Sequence, residues 1–123
     1  MGRSTDAGSF VILTRAFQEV ELKSDFVPIG CSSSMSQNVL RLGAGVVAQD
    51  LYAEAAKLGV VTTGGFCPTV GIAGGFALGG GAAGPFQPVI GMGADSGCLL
   101  SCQPSRYSGL MTNAMQMWFN MIL

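Results

Sequence analysis

The sequence concentrates its reactive and conformationally unusual residues in one uncharged segment. Cys67 stands in the run GGFCPTVGIAGGFALGGG at residues 64–81, and twelve of the 19 glycines lie within residues 64–97. No charged side chain lies between Lys57 and Asp95. A thiolate is a soft nucleophile, and a glycine backbone lets a flat or anionic ligand approach closely. The segment therefore predicts a ligand-contacting surface whose polar groups come from the main chain, although a lone cysteine is more often a small buried hydrophobe.

Several other kinds of site are excluded by composition. The chain has no histidine, which removes His-containing zinc triads, Ser-His-Asp catalysis and imidazole acid–base chemistry from these residues. The four cysteines form no CxxC pair, so we expect no metal site. Pro85 and Pro88 oppose the helix that a dinucleotide-binding fingerprint requires. A net charge of −1 without a basic run argues against nucleic-acid binding.

A membrane-spanning helix is also disfavoured. Glycines at GxxxG spacing occur in residues 69–88, but that stretch holds seven glycines and Pro85, which together oppose helix formation. A small glycine-rich membrane or interaction protein is kept only as the second alternative to the function given below. The first ten residues lack the apolar core of a signal peptide, so the compartment is left undetermined.

The elements that must position this segment follow from hydrophobic periodicity. Residues 46–58 predict an amphipathic helix, with Val47, Leu51, Ala55 and Leu58 on one stripe and Gly59 at its C-terminal end. Strands are predicted at residues 9–13, 18–22, 39–42, 60–63 and 96–103, a loop or insertion at 27–38, a turn at 43–45, a surface loop at 64–95 and a helical face at 110–123 that packs through Trp118 and Phe119. The predicted fold class is α+β.

The motifs resemble a known flavoprotein family. The run at residues 64–81, followed by GMGAD at residues 91–95, resembles the second half of the PCMH-type FAD-binding domain of berberine-bridge-type oxidases, in the vanillyl-alcohol-oxidase group. Upstream, GSFVILTRAFQEVEL and VLRLGAGVVAQDLYAEAAKLGVVTTGG are similar to the strands and helix that precede the cysteine motif. The resemblance implies a partial FAD-binding domain at residues 4–102, with short strands, one main helix and a long flavin loop, and a divergent tail at 103–123.

The resemblance also implies a set of cofactor-contacting residues. Cys67 matches the cysteine that bonds C6 of the isoalloxazine ring, whereas the histidyl link of the family has no counterpart in this chain. Asp95 matches a residue that supports the FAD-side loop. The other matching positions are Pro68, Thr69, Val70, Gly71, Gly74, Gly75, Gly79, Gly80 and Gly81. The departures are the sequence AAG at 82–84, where relatives commonly have a single residue before the glycine, and the missing substrate domain.

The function that the resemblance implies is an FAD-linked oxidoreductase of secondary metabolism. Such an enzyme oxidises a small organic molecule, in alkaloid pathways such as the ergot type, by hydride transfer to flavin, and O2 reoxidises the flavin. The alternative is a truncated, inactive remnant of such an enzyme, because no residue here matches the family's catalytic base. We expect little catalysis from this chain alone, since half a domain leaves one flavin face in water. Relatives are often secreted.

Overall fold

A computed structural model describes residues 6–11, 13–27, 36–82, 84–85, 87–104 and 113–120. Its architecture is α+β: one antiparallel sheet of four strands, with one principal helix packed against it. The strands are β1 (Val20–Phe26), β2 (Gln37–Gly43), β3 (Gly97–Pro104) and β4 (Asn113–Asn120), and the helices are α1 (Ala48–Leu58), α2 (Gln87–Ile90) and α3 (Gly93–Ser96). A 3-10 turn at Thr14–Ala16 and a π-helix at Ile72–Phe76 complete the described elements.

The sheet has the order β1-β2-β4-β3, and every pair of neighbours is antiparallel. In the register, Leu40 of β2 lies opposite Leu22 on one side and Phe119 on the other. β2 is one of the two interior strands, and its Val39, Leu40 and Leu42 are fully buried. The charged residues of β1, by contrast, lie on an edge strand, where Glu21 forms ion pairs with Lys23 and Arg41. Charges on an edge strand oppose pairing with another chain.

The core joins the middle of the sheet to one face of α1. Leu51 and Ala55 of α1 pack in one cluster with Leu40, Leu42 and Ile72. The predicted stripe is correct at Leu51 and Ala55. It is wrong at its last position, because Leu58 is 41% exposed. The third buried residue of the helix is Ala48, which the stripe did not include.

The C-terminal end of α1 was predicted correctly. Gly59 adopts the left-handed conformation (φ 69°, ψ 31°), and its N–H donates to the carbonyls of Ala55 and Ala56. A residue without Cβ adopts this conformation at little cost, which is why glycine so often follows a helix. The N-terminal end lacks such a signal, because the residue before the helix is Val47, whose side chain cannot cap it.

Several predicted strands are confirmed and others are wrong. The strands at 18–22, 39–42 and 96–103 correspond to β1, β2 and β3, and the turn at 43–45 follows β2. Residues 9–11 and 13 are not in a strand, and Phe10 is 83% exposed. The short strand at 60–63 reduces to a single bridge residue at Val61. An apolar run alone therefore does not specify a strand.

The middle and the C-terminus needed two further corrections. Residues 64–95 are not only a surface loop, because the π-helix they contain buries Ile72 and Ala73 in the core. The predicted terminal helix is wrong where the structure describes it, because Trp118 and Phe119 lie in β4. A short apolar run does not distinguish strand from helix by its period, and the pairing of β4 with strands on both sides decides the outcome here.

Of the predicted insertion at 27–38, residues 28–35 lie outside the described residues, and β2 already begins at Gln37.

Among the described helices, none has both the length and the apolar character needed to cross a lipid bilayer.

The central position of β4 yields a stability prediction. Met117 pairs with Leu42 in β2 and with Leu100 in β3. Met117→Pro removes a ladder N–H from a strand with neighbours on both sides, so we expect a loss on the order of 2 kcal/mol or more in the free energy of unfolding. Asn113→Pro is the matched control at the end of the strand. Urea unfolding followed by far-UV circular dichroism measures both, and equal midpoints for the two variants would contradict the sheet order.

Candidate functional site

The cysteine motif is fixed to the N-terminus of α1 by main-chain hydrogen bonds. The N–H of Ala48 donates to the carbonyl of Val70 at 3.0 Å, and the N–H of Gln49 donates to the carbonyl of Pro68 at 3.0 Å. These carbonyls satisfy amides that a helix leaves free at its first turn, in place of the cap that Val47 cannot supply. A bridge between Val47 and Gly71 extends the same contact. The first turn of α1 is therefore occupied by the chain itself.

Cys67 stands at the exposed start of this turn. The N–H of Val70 donates to the carbonyl of Cys67 at 3.3 Å, which closes the turn. The side chain of Cys67 is exposed, and the thiol is free. Phe66, Pro68 and Thr69 on either side are exposed as well. The alternative of a buried, inert thiol therefore does not describe Cys67.

Three of the sequence-predicted glycines face open space. A Cβ built on Gly71, Gly74 or Gly75 would meet no atom within 4 Å, and none of the three has a positive φ. Gly74 and Gly75 lie in the π-helix that follows the cysteine turn. Glycine in a helix costs about 1 kcal/mol relative to alanine, and nothing in the described fold requires it at these positions. We call Cys67, Gly71, Gly74 and Gly75 the open surface.

The other predicted glycines are required by the fold itself. Gly80 and Gly81 have φ values of 94° and 68°, and a Cβ on Gly81 would lie 2.7 Å from Cα of Gly93. The carbonyls of Gly80 and Gly81 accept the N–H groups of Ala94 and Gly93 at 3.2 and 3.1 Å. A Cβ on Gly79 would lie 2.9 Å from the carbonyl oxygen of Gly75. The structure thus brings the triple glycine together with the GMGAD motif.

Asp95 acts within its own turn. Its Oδ2 accepts the N–H of Met92 at 2.9 Å, while its own N–H donates to the carbonyl of Met92 at 3.0 Å. These bonds hold the loop that contacts Gly80 and Gly81; support of an FAD-side loop by Asp95 stays a prediction.

Phe76 and Tyr52 are positioning residues that the sequence did not single out. A Cβ on Gly81 would lie 3.0 Å from the Phe76 ring and one on Gly93 would lie 2.9 Å from it, so the ring packs against both glycines. Tyr52 of α1 donates its hydroxyl to the carbonyl of Gly65 at 2.6 Å. The only available signal for Tyr52 was its place on α1, and a helical position does not reveal which loop it meets.

A cleft of about 440 Å³ is lined by residues of α1, of the segment 60–66 and of the segments 84–85 and 87–90. None of the described residues that line it is charged, and Cys67 is not among them. We call it the cleft; its lining residues are Tyr52, Ala55, Ala56, Val60, Val61, Thr62, Thr63, Gly64, Gly65, Phe66, Gly84, Pro85, Gln87 and Ile90.

No cluster of side chains suited to holding a metal ion occurs among the residues that the structure describes. Cys98 and Cys102 lie in β3, and their side chains, like Cys31, are outside the described part of the chain.

Comparisons with known proteins identify the homologues of the chain. It is 43% identical over 95 residues to a protein of Penicillium expansum named aurantioclavine synthase cnsA, an alignment that covers 77% of this chain and 20% of that protein. It is 42% identical over 95 residues to the FAD-linked oxidoreductase easE of Trichophyton verrucosum, covering 77% and 16%. It is 39% identical over 94 residues to the FAD-linked oxidoreductase notD' of Aspergillus versicolor, covering 76% and 15%.

Homologues of this chain are thus fungal proteins named as FAD-linked oxidoreductases. The chain spans no more than about a fifth of the length of these relatives. No protein-family model matches it, and no solved structure matches it significantly, so the PCMH-type fold stays a prediction.

The two kinds of glycine predict opposite effects on stability. Gly75→Ala places a methyl group in open space within a helix, so we expect the free energy of unfolding to stay constant or to rise by up to about 1 kcal/mol. In Gly81→Ala the new methyl group meets the backbone of Gly93, and residue 81 has a positive φ. We expect this variant to lower the free energy of unfolding by about 1–3 kcal/mol. Thermal unfolding of the two variants measures the difference. Equal destabilisation by both would show that the open surface is also packed.

The environment of Tyr52 predicts that the free energy of unfolding falls at alkaline pH. Partial burial raises the pKa of its phenol above the usual 10.0. Because the folded-state pKa exceeds the unfolded one, this contribution is complete below pH 10 and is lost as the pH rises through the folded-state pKa. Tyr52→Phe should lose about 1 kcal/mol at neutral pH through the missing bond to Gly65, and its stability should fall less between pH 9 and 11 than that of the wild type. Unfolding in urea across this range checks both; an unchanged pH profile in Tyr52→Phe would assign the alkaline loss to another group.

Proposed function

We propose that this chain forms the isoalloxazine-contacting part of the FAD site in an FAD-linked oxidoreductase of the berberine-bridge type. Its homologues support the cofactor, because they are named FAD-linked oxidoreductases. The observation that carries the proposal is the open surface: an exposed thiol followed in the sequence by three glycines that the described fold does not need.

The backbone of the open surface is better explained by contact with a flat ring than by the needs of an ordinary solvent-exposed loop. Residues 67–70 and 71–76 form two successive turns, each closed by a main-chain hydrogen bond. A bare backbone in such turns allows a planar ring to approach without meeting Cβ atoms. A side chain on Gly71, Gly74 or Gly75 would occupy that space, which explains glycine where helix propensity favours alanine.

The same surface is poorly suited to phosphate. The first N–H groups of α1 are already bonded to Pro68 and Val70, and those of α3 to Gly80 and Gly81. No Lys or Arg occurs between Lys57 and Asp95. The residues described here therefore favour contact with the uncharged ring, and the pyrophosphate of FAD would be held by other groups.

A bound flavin would supply the two-electron acceptor for the oxidation of a small organic substrate, with O2 as the final oxidant. Cys67 is the residue that would carry a covalent link to the ring, through its Sγ atom, because it is exposed at the start of the turn. Pro68, Thr69 and Val70 would lie beside the ring edge, and Asp95 would hold the loop behind it.

For the substrate we propose only a chemical class, a small organic molecule of an alkaloid-type pathway. Aurantioclavine synthase is the name of one relative, and a role in fungal secondary metabolism of the alkaloid type is consistent with that name. No carboxylate or ammonium group belongs to the open surface, so we assign no general base within it. We accordingly expect binding of the ring without appreciable turnover by these residues alone.

The proposal predicts how flavin binding responds to the open glycines. Riboflavin titrated into the labelled chain should shift the amide resonances of Gly71, Gly74 and Gly75, and Gly75→Val should weaken its binding at least fivefold because the new side chain meets the ring. Ala53→Val, on the exposed face of α1, is the matched control with unchanged affinity. Adenosine monophosphate, which offers phosphate without the flavin ring, should cause no shifts at these glycines.

Two results would refute the proposal. One is riboflavin binding that Gly75→Val leaves unchanged while the variant keeps its fold by circular dichroism. The other is a riboflavin titration without shifts at the three glycines.

A further inference from the structure

The two outer strands of the sheet differ in how their edges are protected. In the order β1-β2-β4-β3, β1 and β3 each have one neighbouring strand among the residues that the structure describes. An antiparallel strand directs every second N–H and C=O group away from its neighbour. Each outer strand therefore offers main-chain groups to a further strand, unless its sequence or its shape opposes the approach.

The edge formed by β1 carries features that oppose pairing. Glu21, Lys23 and Asp25 are charged residues in a strand of seven. The register with β2 is interrupted between Lys23 and Phe26, and Asp25 has a positive φ of 56°. Charges and bulges on an edge strand are common devices by which proteins prevent the addition of another strand. β1 is therefore a poor template for pairing.

The edge formed by β3 is uncharged and regular over most of its length. No charged residue occurs in Gly97–Pro104. The register with β4 shifts between Gly97 and Leu99 and is then continuous as far as Pro104. Pro104 itself has no N–H group to donate. Residues 99–103 therefore form an edge that nothing in their sequence protects.

We infer that β3 pairs antiparallel with β3 of a second copy of this chain, with Ser101 at the two-fold axis. Ser101 is the middle residue of 99–103, so this pairing places Ser101 opposite Ser101 of the second copy and Leu99 opposite Gln103. No like charges meet in this arrangement. The main-chain hydrogen bonds of the new ladder supply the attraction, as they do in other cases of strand addition.

The same pairing is unfavourable for β1. A two-fold axis at Lys23 would place Lys23 opposite Lys23 of the second copy and Glu21 opposite Asp25. Like charges directly opposite each other in a ladder are destabilising. The distribution of charge therefore selects β3 as the self-pairing edge.

A second copy is also the occupant that closes the assembly. With four strands from each copy, the joined sheet has the order β1-β2-β4-β3-β3-β4-β2-β1. Both outer strands are then β1, whose charges and bulge oppose further growth. The assembly is closed at two copies, as symmetric oligomers usually are. No residue of the open surface lies in β3, so the inference does not depend on the proposed flavin site.

The test measures the mass of the chain by sedimentation equilibrium in reducing buffer, which prevents disulfide-linked dimers. We expect a reversible equilibrium between monomer and dimer. Ser101→Lys introduces like charges at the two-fold axis and should weaken the dimer by about fivefold or more. Ser24→Lys, the same change at an exposed position of the other outer strand, is the matched control and should leave the dimer unchanged.

A mixture of two variants separates the interface from a general loss of structure. Ser101→Glu alone should weaken the dimer as Ser101→Lys does. An equimolar mixture of the two should form a mixed dimer at least fivefold more stable than either variant alone, because opposite charges then meet at the axis. Circular dichroism checks that each variant keeps its fold.

Amide hydrogen exchange of the unmodified chain locates the contact without any substitution. Protection of residues 99–103 should increase as the chain concentration rises through the range of dimerisation, whereas protection of residues 20–26 should not change.

Several results would overturn the inference. A chain that stays monomeric at all concentrations would leave β3 without a second copy. A dimer that Ser24→Lys dissociates and Ser101→Lys preserves would assign the contact to β1. A mixture of Ser101→Lys and Ser101→Glu that is no more stable than either alone would remove the two-fold axis from Ser101. Growth beyond the dimer would contradict closure of the sheet by β1.

Discussion

Two main-chain hydrogen bonds at the first turn of α1 fix the position of the turn that contains Cys67. The helix begins after Val47, which has no side chain able to cap it, and the carbonyls of Pro68 and Val70 take that role. Because buried or partly buried amides must find partners, the turn is held against the helix. Cys67 stays exposed in this arrangement, and two of the first amides of the helix are engaged by the chain itself. Loss of this docking would displace the thiol and the glycines together.

The glycines divide into those that the fold needs and those that it does not. Gly80 and Gly81 have positive φ values, and Phe76 and Gly93 crowd Gly81. Gly71, Gly74 and Gly75 have ordinary backbone angles and face open space. A residue that weakens a helix and fills no internal need is best explained by something that approaches from outside. The proposal of a flavin ring rests on this contrast and on homologues that are named FAD-linked oxidoreductases.

The sequence predicted much of the frame, because the signals for it are local. The period of residues 46–58 and Gly59 after them specify α1, and alternation specifies β2. The errors arise where long-range pairing decides the outcome: residues 9–11 and 13 do not join the described sheet, and Trp118 and Phe119 lie in a strand instead of a helix. The glycine-rich motif predicted the candidate residues around Cys67, but not their division into two kinds. Tyr52 and Phe76 could not be recognised, since their roles depend on loops distant in the sequence that fold back against them.

The accessibility of the Cys67 thiol tests the central claim most directly. The measurement is the rate at which iodoacetamide alkylates Cys67 in the folded chain, followed by peptide mass spectrometry with and without saturating FAD. The account predicts rapid alkylation of the free chain, because the side chain is exposed, and a rate at least several-fold lower when the cofactor is bound. A thiol that reacts slowly in the free chain, or one that FAD leaves equally reactive, would contradict it.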